Sequence, residues 1–468
     1  MQEKPKNKMA SEPIGPLMFR IGLPIVLSMM LQAAYNIVDS AYLSNMAEAG
    51  EEALTALGLS FPVQLFMIAV AVGTGVGTNA LVAKSLGQND RQKVNAAVGN
   101  AIFLGIVISV VFLCFGAFGV TPYVNSQNSG GSIAPVVLAM AEDYLRINCC
   151  VSFGIVFFSI FEKTLQATGR SLYSTIAQVV GAVINIVLDP ILIYGWFGCP
   201  ELGVRGAGWA TVIGQIASAA LALFFHLRKD VEIENKLAYL RPQKAVIGQI
   251  YTIGLPAIIS QALLTVMTYG LNIILGSMPQ IGQNAVTVYG LYCKIQQIVI
   301  FAAVGMRDVI TPVVSFNYGA LCRDRVRKGI RYGLGATAVM MVVFLVIIEL
   351  FAVPLIGFFS LSGTTYTMCV DCMRIVSLGF IFAGLCVAFQ GVFQALDGGI
   401  ESLVISLGRQ VVFVLPTAWL LARGVTGPEN ASRVWWAFLI GETLTLIVTL
   451  WMYRRFAAPK VETIPSQD

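Results

Sequence analysis

Two aspartates stand inside long apolar runs: Asp39 in "QAAYNIVDSAYLS" and Asp189 in "NIVLDPILIYG". A carboxylate in hydrocarbon costs at least ~2.5–3.5 kcal/mol on insertion scales, and it persists where a cation, a proton or a partner neutralises it. Asn185 precedes Asp189 by one helical turn, so both project from one face; Tyr35 and Asn36 share a face with Asp39 by the same spacing. Pro190 follows Asp189 directly, which removes a backbone donor and frees the carbonyl of Ile186. With the hydroxyl of Thr211, these residues form a hard-oxygen set suited to a proton or a small cation such as Na+. The competing reading is a hydrogen-bonded cluster that ties helices together. An asparagine and a threonine do that cheaply; two carboxylates do not, unless one stays protonated.

Other charges also interrupt apolar runs. Glu162 and Lys163 are adjacent, and neighbours on a helix diverge, so their pairing is expected to be imperfect. Lys294 and Asp308 are near four full turns apart and share a face, with Arg307 beside Asp308. Arg409 and Glu442 stay open between a site and a brace. Cys369 and Cys372 form a CxxC with no second pair or histidine cluster, so it carries little as a metal site. The one histidine, His226, is expected at a helix end in the membrane interface. "GTGVG" (73–77) follows no strand and reads as close helix packing, with no nucleotide loop.

The elements that position these residues follow from composition. Of 468 residues, 57% are hydrophobic and 12% charged, with a mean hydropathy of +0.77. A soluble chain of this length needs far more charge to cover its surface. Charges cluster between about twelve apolar runs, each long enough for ~30 Å of hydrocarbon. They lie near 21–43, 56–82, 94–118, 144–166, 173–195, 206–227, 246–275, 283–311, 327–352, 370–394, 402–422 and 434–453. The expected fold class is therefore an all-α polytopic membrane protein. With the polar start "MQEKPKNKMASEP" and a first run too long for a signal-peptide core, no cleavable signal peptide is expected. Lys and Arg concentrate in alternate connections: Lys4 to Arg20, Lys84 to Lys93, Arg170, Arg228 to Lys244, Arg323 to Lys328, and Arg454 to Lys460. The other connections hold Arg205, Arg423 and Arg433, so both termini are expected to be cytoplasmic. The net charge of +5 reflects that asymmetry, with no nucleic-acid partner implied.

The chain is also written twice. "IGLPIVLSMMLQAAYNIVDSAYLSNM" (21–46) aligns with "IGLPAIISQALLTVMTYGLNIILGSM" (253–278), an offset of 232 that carries Gly87 onto Gly319 and Arg91 onto Arg323. "LQATG" (165–169) aligns with "FQALD" (393–397), an offset of 228. Two parallel six-helix halves follow, related by a pseudo-two-fold along the membrane normal, with a cavity between them. The expected organisation is an arm (1–20), a first bundle (21–227), a connecting loop (228–245), a second bundle (246–455) and a tail (456–468). The polar set is not duplicated. Asp39 faces Leu271 in the alignment, Asn185 faces Phe413, Asp189 faces Thr417 and Thr211 faces Phe438. These side chains are not needed to build this kind of helix.

At this point the chain resembles the multidrug and toxic compound extrusion (MATE) transporters. The resemblance rests on "GLPIVLSMMLQAAYNIVDSAYLS", "AKSLGQND", "EKTLQATGRS", "NIVLDPILIYG", "GVRGAGWATVIGQ" and "SFNYGALCRDR", and covers nearly the whole chain. It implies a multidrug exporter in the bacterial inner membrane, antiporting organic cations against Na+ or H+ and needing no cofactor. It further implies a monomer with small drug-like substrates and the lipid bilayer as partners. The cation site falls on Asp39, Asn185, Asp189 and Thr211. Gln64, Glu162, Lys294, Arg307 and Asp308 become substrate-cavity candidates, and the basic pair there would favour anionic or zwitterionic cargo. The alternative is a flippase for lipid-linked oligosaccharides in the same superfamily. An intramembrane aspartyl protease, which also uses paired aspartates, lacks its Gly-x-Gly-Asp context here, and no ATP site is visible.

Overall fold

In a computed structural model the described residues are 8–44, 46, 50–127, 134–357 and 363–465. Side chains at 34–37, 39–41, 44, 50–51, 54, 355 and 357 lie outside that description. The described chain is helical, with no strand. In order it forms α1 (Lys8–Ser11), α2 (Ile14–Ser44), α3 (Gly50–Gly87), α4 (Arg91–Gln127), α5 (Pro135–Cys150), α6 (Phe153–Ala167), α7 (Ser171–Tyr194) and α8 (Val204–Lys229). Then come α9 (Lys244–Gly276), α10 (Gly282–Gly319), α11 (Arg323–Gly357), α12 (Gly363–Ser377), α13 (Phe380–Ala395), α14 (Gly399–Ala422) and α15 (Pro428–Glu462). Among the described residues ten helices are long and apolar enough to cross a membrane. The pairs α5–α6 and α12–α13 are bent by 46° and 49°, and bring the number to twelve if each pair is one span.

The doubling read in the sequence is a doubling of element boundaries. The α3 and α10 helices start and end 232 residues apart (50→282, 87→319). The α7 and α14 helices start and end 228 apart (171→399, 194→422). The bent pairs share the second offset (135→363, 167→395). Backbone strain recurs with the same periods. Asn89 (φ 58°) and Leu321 (φ 56°) stand 232 apart in the turns before α4 and α11; Gly169 (φ 79°) and Asp397 (φ 60°) stand 228 apart. In the first of these turns Asp90 accepts the Lys93 amide at 3.0 Å and caps α4.

The chain divides into two compact units, Leu31–Ile258 and Met1–Met30 with Ile259–Asp468, and both changes of unit fall inside a helix, α2 and α9. Within the first unit, glycines let backbones meet. A Cβ at Gly77 would lie 2.0 Å from the Ile250 carbonyl oxygen, and one at Gly73 2.8 Å from that of Gly254. The segment after α8 is strapped back on the bundle. Asp230 accepts from Thr168 (2.6 Å) and Arg170 (3.3 Å) and meets His226 Nδ1 at 2.8 Å. The Asn95 and Asn100 amide oxygens accept from the backbone of Glu234 and Gln243. His226 is thus buried beneath the strap, at 1% exposure, instead of facing the interface as its place at a helix end suggested.

Within the second unit, Arg325 holds the amino-terminal turn. Its Nη2 donates to the carbonyls of Met9 (2.7 Å) and Glu12 (2.9 Å), while its Nε donates to Asn317.

Leu321 gives a test of the repeat. A branched residue in the left-handed region costs about 1–2 kcal/mol, which asparagine relieves. Its side chain is 53% exposed, so little packing is lost. Leu321→Asn, the residue of its repeat mate, is expected to raise the thermal unfolding midpoint of the purified protein; Asn89→Leu is expected to lower it.

Candidate cation site on the 171–194 helix

Asn185 and Asp189 lie on the buried face of α7, with Ser174, Gln178, Gly181 and Ala182. That face packs antiparallel on α8. A Cβ at Gly181 would fall 1.8 Å from Ser218 Oγ and 2.6 Å from the Gly214 carbonyl oxygen. A Cβ at Gly214 would fall 3.1 Å from Asn185 Cβ, and one at Gly206 2.3 Å from the Leu192 carbonyl oxygen. These four contacts fix the register, and residues 210–211 of α8 come level with Asp189. The half-buried Thr211 stands on α8 at that level, where the two helices meet at glycines. Asp189 is fully buried, and Asn185 is 4% exposed. Neither the oxygen nor the nitrogen of the Asn185 amide has a hydrogen-bond partner among the described residues. Such an orphan costs about 1–3 kcal/mol, so a group that supplies its partner is favoured there.

Tyr35, Asn36 and Asp39 ride on α2, and their side chains lie outside the described residues. The helix that carries them is nonetheless placed. Gln178 Nε2 donates to Gln32 Oε1 at 2.9 Å, and the Tyr194 hydroxyl donates to the Tyr42 carbonyl at 2.5 Å. The two bonds run in the same order along both helices, so α2 and α7 are parallel here. Position 39 is seven residues beyond Gln32, as Asn185 is seven beyond Gln178. Seven residues are two turns, about 10.5 Å of rise, and return to nearly the same face. The Gln–Gln bond thereby sets the Asp39 position level with Asn185. Gln32, Gln178 and Tyr194 were not singled out from sequence; the shared seven-residue spacing was the available signal.

The other singled-out residues do not join this layer. Gln64 donates to the Tyr144 hydroxyl at 3.1 Å. Glu162 is buried on α6, with Lys163 Nζ at 3.6 Å and Gln166 Nε2 donating to it at 2.9 Å. Arg307 places its Nε and Nη2 3.1 and 3.0 Å from Asp308 Oδ1. The Glu162–Lys163 contact stays loose at 3.6 Å, as the divergence of neighbouring Cβ bonds led one to expect, whereas the longer Arg307 side chain curls back onto Asp308. Lys294 is exposed on α10. Cys369 and Cys372 are buried free thiols, and no three His, Cys, Asp or Glu gather as a metal site among the described residues.

The model of the family described as MatE matches residues 24–191 and again 256–420, once in each half. The chain belongs to the MatE family. Similar proteins include two named multidrug export protein MepA. The one from Staphylococcus saprophyticus is 22% identical over 92% of this chain and 92% of its own. The one from Staphylococcus aureus strain MRSA252 is 22% identical over 94% and 93%. Among solved structures, an outward-facing multidrug resistance MATE family transporter superposes with a TM-score of 0.89 at 24% identity, covering 98% of this chain and 100% of that one. A MOP superfamily transporter from Pyrococcus furiosus, described as having a binding pocket of reversed polarity, gives 0.85 at 24% identity, covering 98% and 100%. These likenesses show the MATE fold.

The two clamps on α2 are testable. Gln178→Leu with Tyr194→Phe removes both bonds, each worth about 0.5–1.5 kcal/mol. The double variant is expected to fold, yet to lose several-fold in cation-dependent stabilisation in a thermal shift assay. Each single variant should lose less.

Proposed function

We propose that this MATE protein is a secondary active exporter of drug-like, mostly cationic organic compounds. It is driven by inward flow of Na+ or H+ through the set Asp39, Asn185, Asp189 and Thr211, in a bacterial plasma membrane with both termini cytoplasmic. The observation that carries this is the Asn185 amide, buried beside the buried Asp189 with neither atom partnered among the described residues. The names of the MepA relatives support drug export.

Neutralisation is the switch. A proton or Na+ entering from outside cancels charge that a low-dielectric layer resists. Pro24 removes a backbone hydrogen bond from α2, so that helix bends there at low cost once the charge is cancelled. Bending expels the substrate, inward release of the ion restores the straight helix, and access alternates as the ion binds differentially to the two states. The bundle limits 21–227 and 246–455 belong to this reading, as does action as a monomer.

A flippase for anionic lipid-linked sugars would call for unmatched basic charge. Arg307 is matched by Asp308, which leaves Lys294 as the basic residue of that pair still available to cargo. Lys294→Ala is expected to weaken export of anionic or zwitterionic compounds relative to cationic ones; an unchanged substrate profile removes Lys294 from the substrate path.

The direct test uses purified protein in liposomes, with Na+ and pH gradients imposed separately. Asp189→Asn and Asp39→Asn are each expected to abolish gradient-driven export while substrate binding persists. Intact coupling in both variants would refute the mechanism.

A further inference from the structure

The second half carries one buried ion pair for which neither the fold nor the proposed transport cycle accounts. Arg409 Nε and Nη2 contact the two carboxylate oxygens of Glu442 at 2.8 and 2.9 Å, and the residues are 9% and 8% exposed. The backbone is shaped for this fork. Over Gly408–Val412 the helix α14 widens, with the Phe413 amide bonded to the Gly408 carbonyl at 3.1 Å. Wide turns of this kind recur at functional sites. Glycines bring α15 close: a Cβ at Gly441 would lie 2.5 Å from Val414 Cγ2, and one at Gly408 3.2 Å from Thr445.

The repeat says what stands at this place in the first half. The offset of 228 that matches both ends of α7 and α14 puts Arg409 on Gly181, one turn from Asn185. The offset of 227 that puts Phe438 on Thr211 puts Glu442 on Gln215, next to Gly214. In the first half that layer is closed by Gly181 against Gly214, and the carboxylate lies two turns further on at Asp189. In the second half Phe413 and Thr417 replace Asn185 and Asp189, and a carboxylate arrives from the facing helix together with a guanidinium. Burying an ion pair costs several kcal/mol per ion, so apolar residues of similar volume serve packing as well or better. Close packing alone therefore gives no reason for the pair.

We propose that Glu442 is a cation-binding carboxylate whose site is permanently filled by Arg409, a counter-ion built into the chain. The second half thus holds a small-cation site that cannot exchange, and removing the guanidinium opens it to a free monovalent cation. Arg409 from α14 contacts Glu442, Tyr292 from α10 and Cys386 from α13 lie within electrostatic reach of it, and Thr445 and Thr449 are buried on its own helix. None besides Arg409 brings positive charge.

The comparison with the first half rests on the cation reading given above, but the measurement is independent of it. It is made on the full-length protein in an Asp189→Asn background, where the first-half site is already neutralised. Arg409→Ala is expected to lower the melting midpoint at pH 8 by on the order of 5–10 °C. Millimolar guanidinium chloride, or a shift to pH 5.5, should restore most of it, while choline chloride at equal ionic strength should not. Arg409→Ala with Glu442→Gln should melt near the parent and ignore guanidinium. Loss of the single variant from the membrane with recovery of the double variant supports the proposal equally. It is overturned if guanidinium and acid leave Arg409→Ala unchanged, if they stabilise the double variant as much, or if the double variant also fails to accumulate.

Discussion

The structure depends on one electrostatic constraint: a charge inside a bilayer must be matched where it stands. The buried charges answer it locally. Lys163 closes on Glu162, Arg307 on Asp308, and Arg409 on Glu442. At the carboxyl-terminal end of α8, Arg170 and His226 converge on the buried Asp230. Each pair is supplied by the chain itself and is fixed once the chain has folded. The set proposed for the coupling cation, Asp39, Asn185, Asp189 and Thr211, differs in chemistry, its side chains offering oxygens and an amide. Chemistry of that kind favours a small cation that arrives and leaves.

The constraint also explains how two halves with one skeleton come to differ. Helix ends, bends and left-handed turn residues keep offsets of 232 and 228 through the repeat. The polar equipment does not keep them. Where the first unit has Glu162, Lys163 and Gln166, the second has Gln390, Gly391 and Gln394, whose amides donate to Ser406 and Ser402 at 2.8 and 3.1 Å. The missing Lys163 side chain leaves room at Gly391, where a Cβ would meet the Arg307 backbone at 2.8 Å. Charged and neutral versions of one scaffold thus coexist in a single chain.

Much of this was legible from residues alone. Apolar runs located the spans, and the four-residue spacing placed Asn185 and Asp189 on one face. What stayed hidden has physical reasons. The bends near residues 151 and 378 involve no proline, and the apolar run at 144–166 continues across the first without a signal. That Arg307 reaches its neighbour Asp308 depends on side-chain length, which Cβ direction does not report. The Gln32–Gln178 bond joins residues 146 positions apart, and only the packing of α2 along α7 discloses it. His226 was misplaced because a helix end reads as exposed until the strap at 230–235 is seen to cover it.

The central claim is that the first-half layer binds the coupling cation and that substrate competes with it through the conformation of α2. Reciprocity between the two ligands makes this measurable at equilibrium, without a gradient. Substrate added to purified, weakly buffered protein should release protons or Na+ in stoichiometric proportion, and Asp189→Asn should bind the same substrate without releasing either. Undiminished cation release from Asp189→Asn would contradict the account.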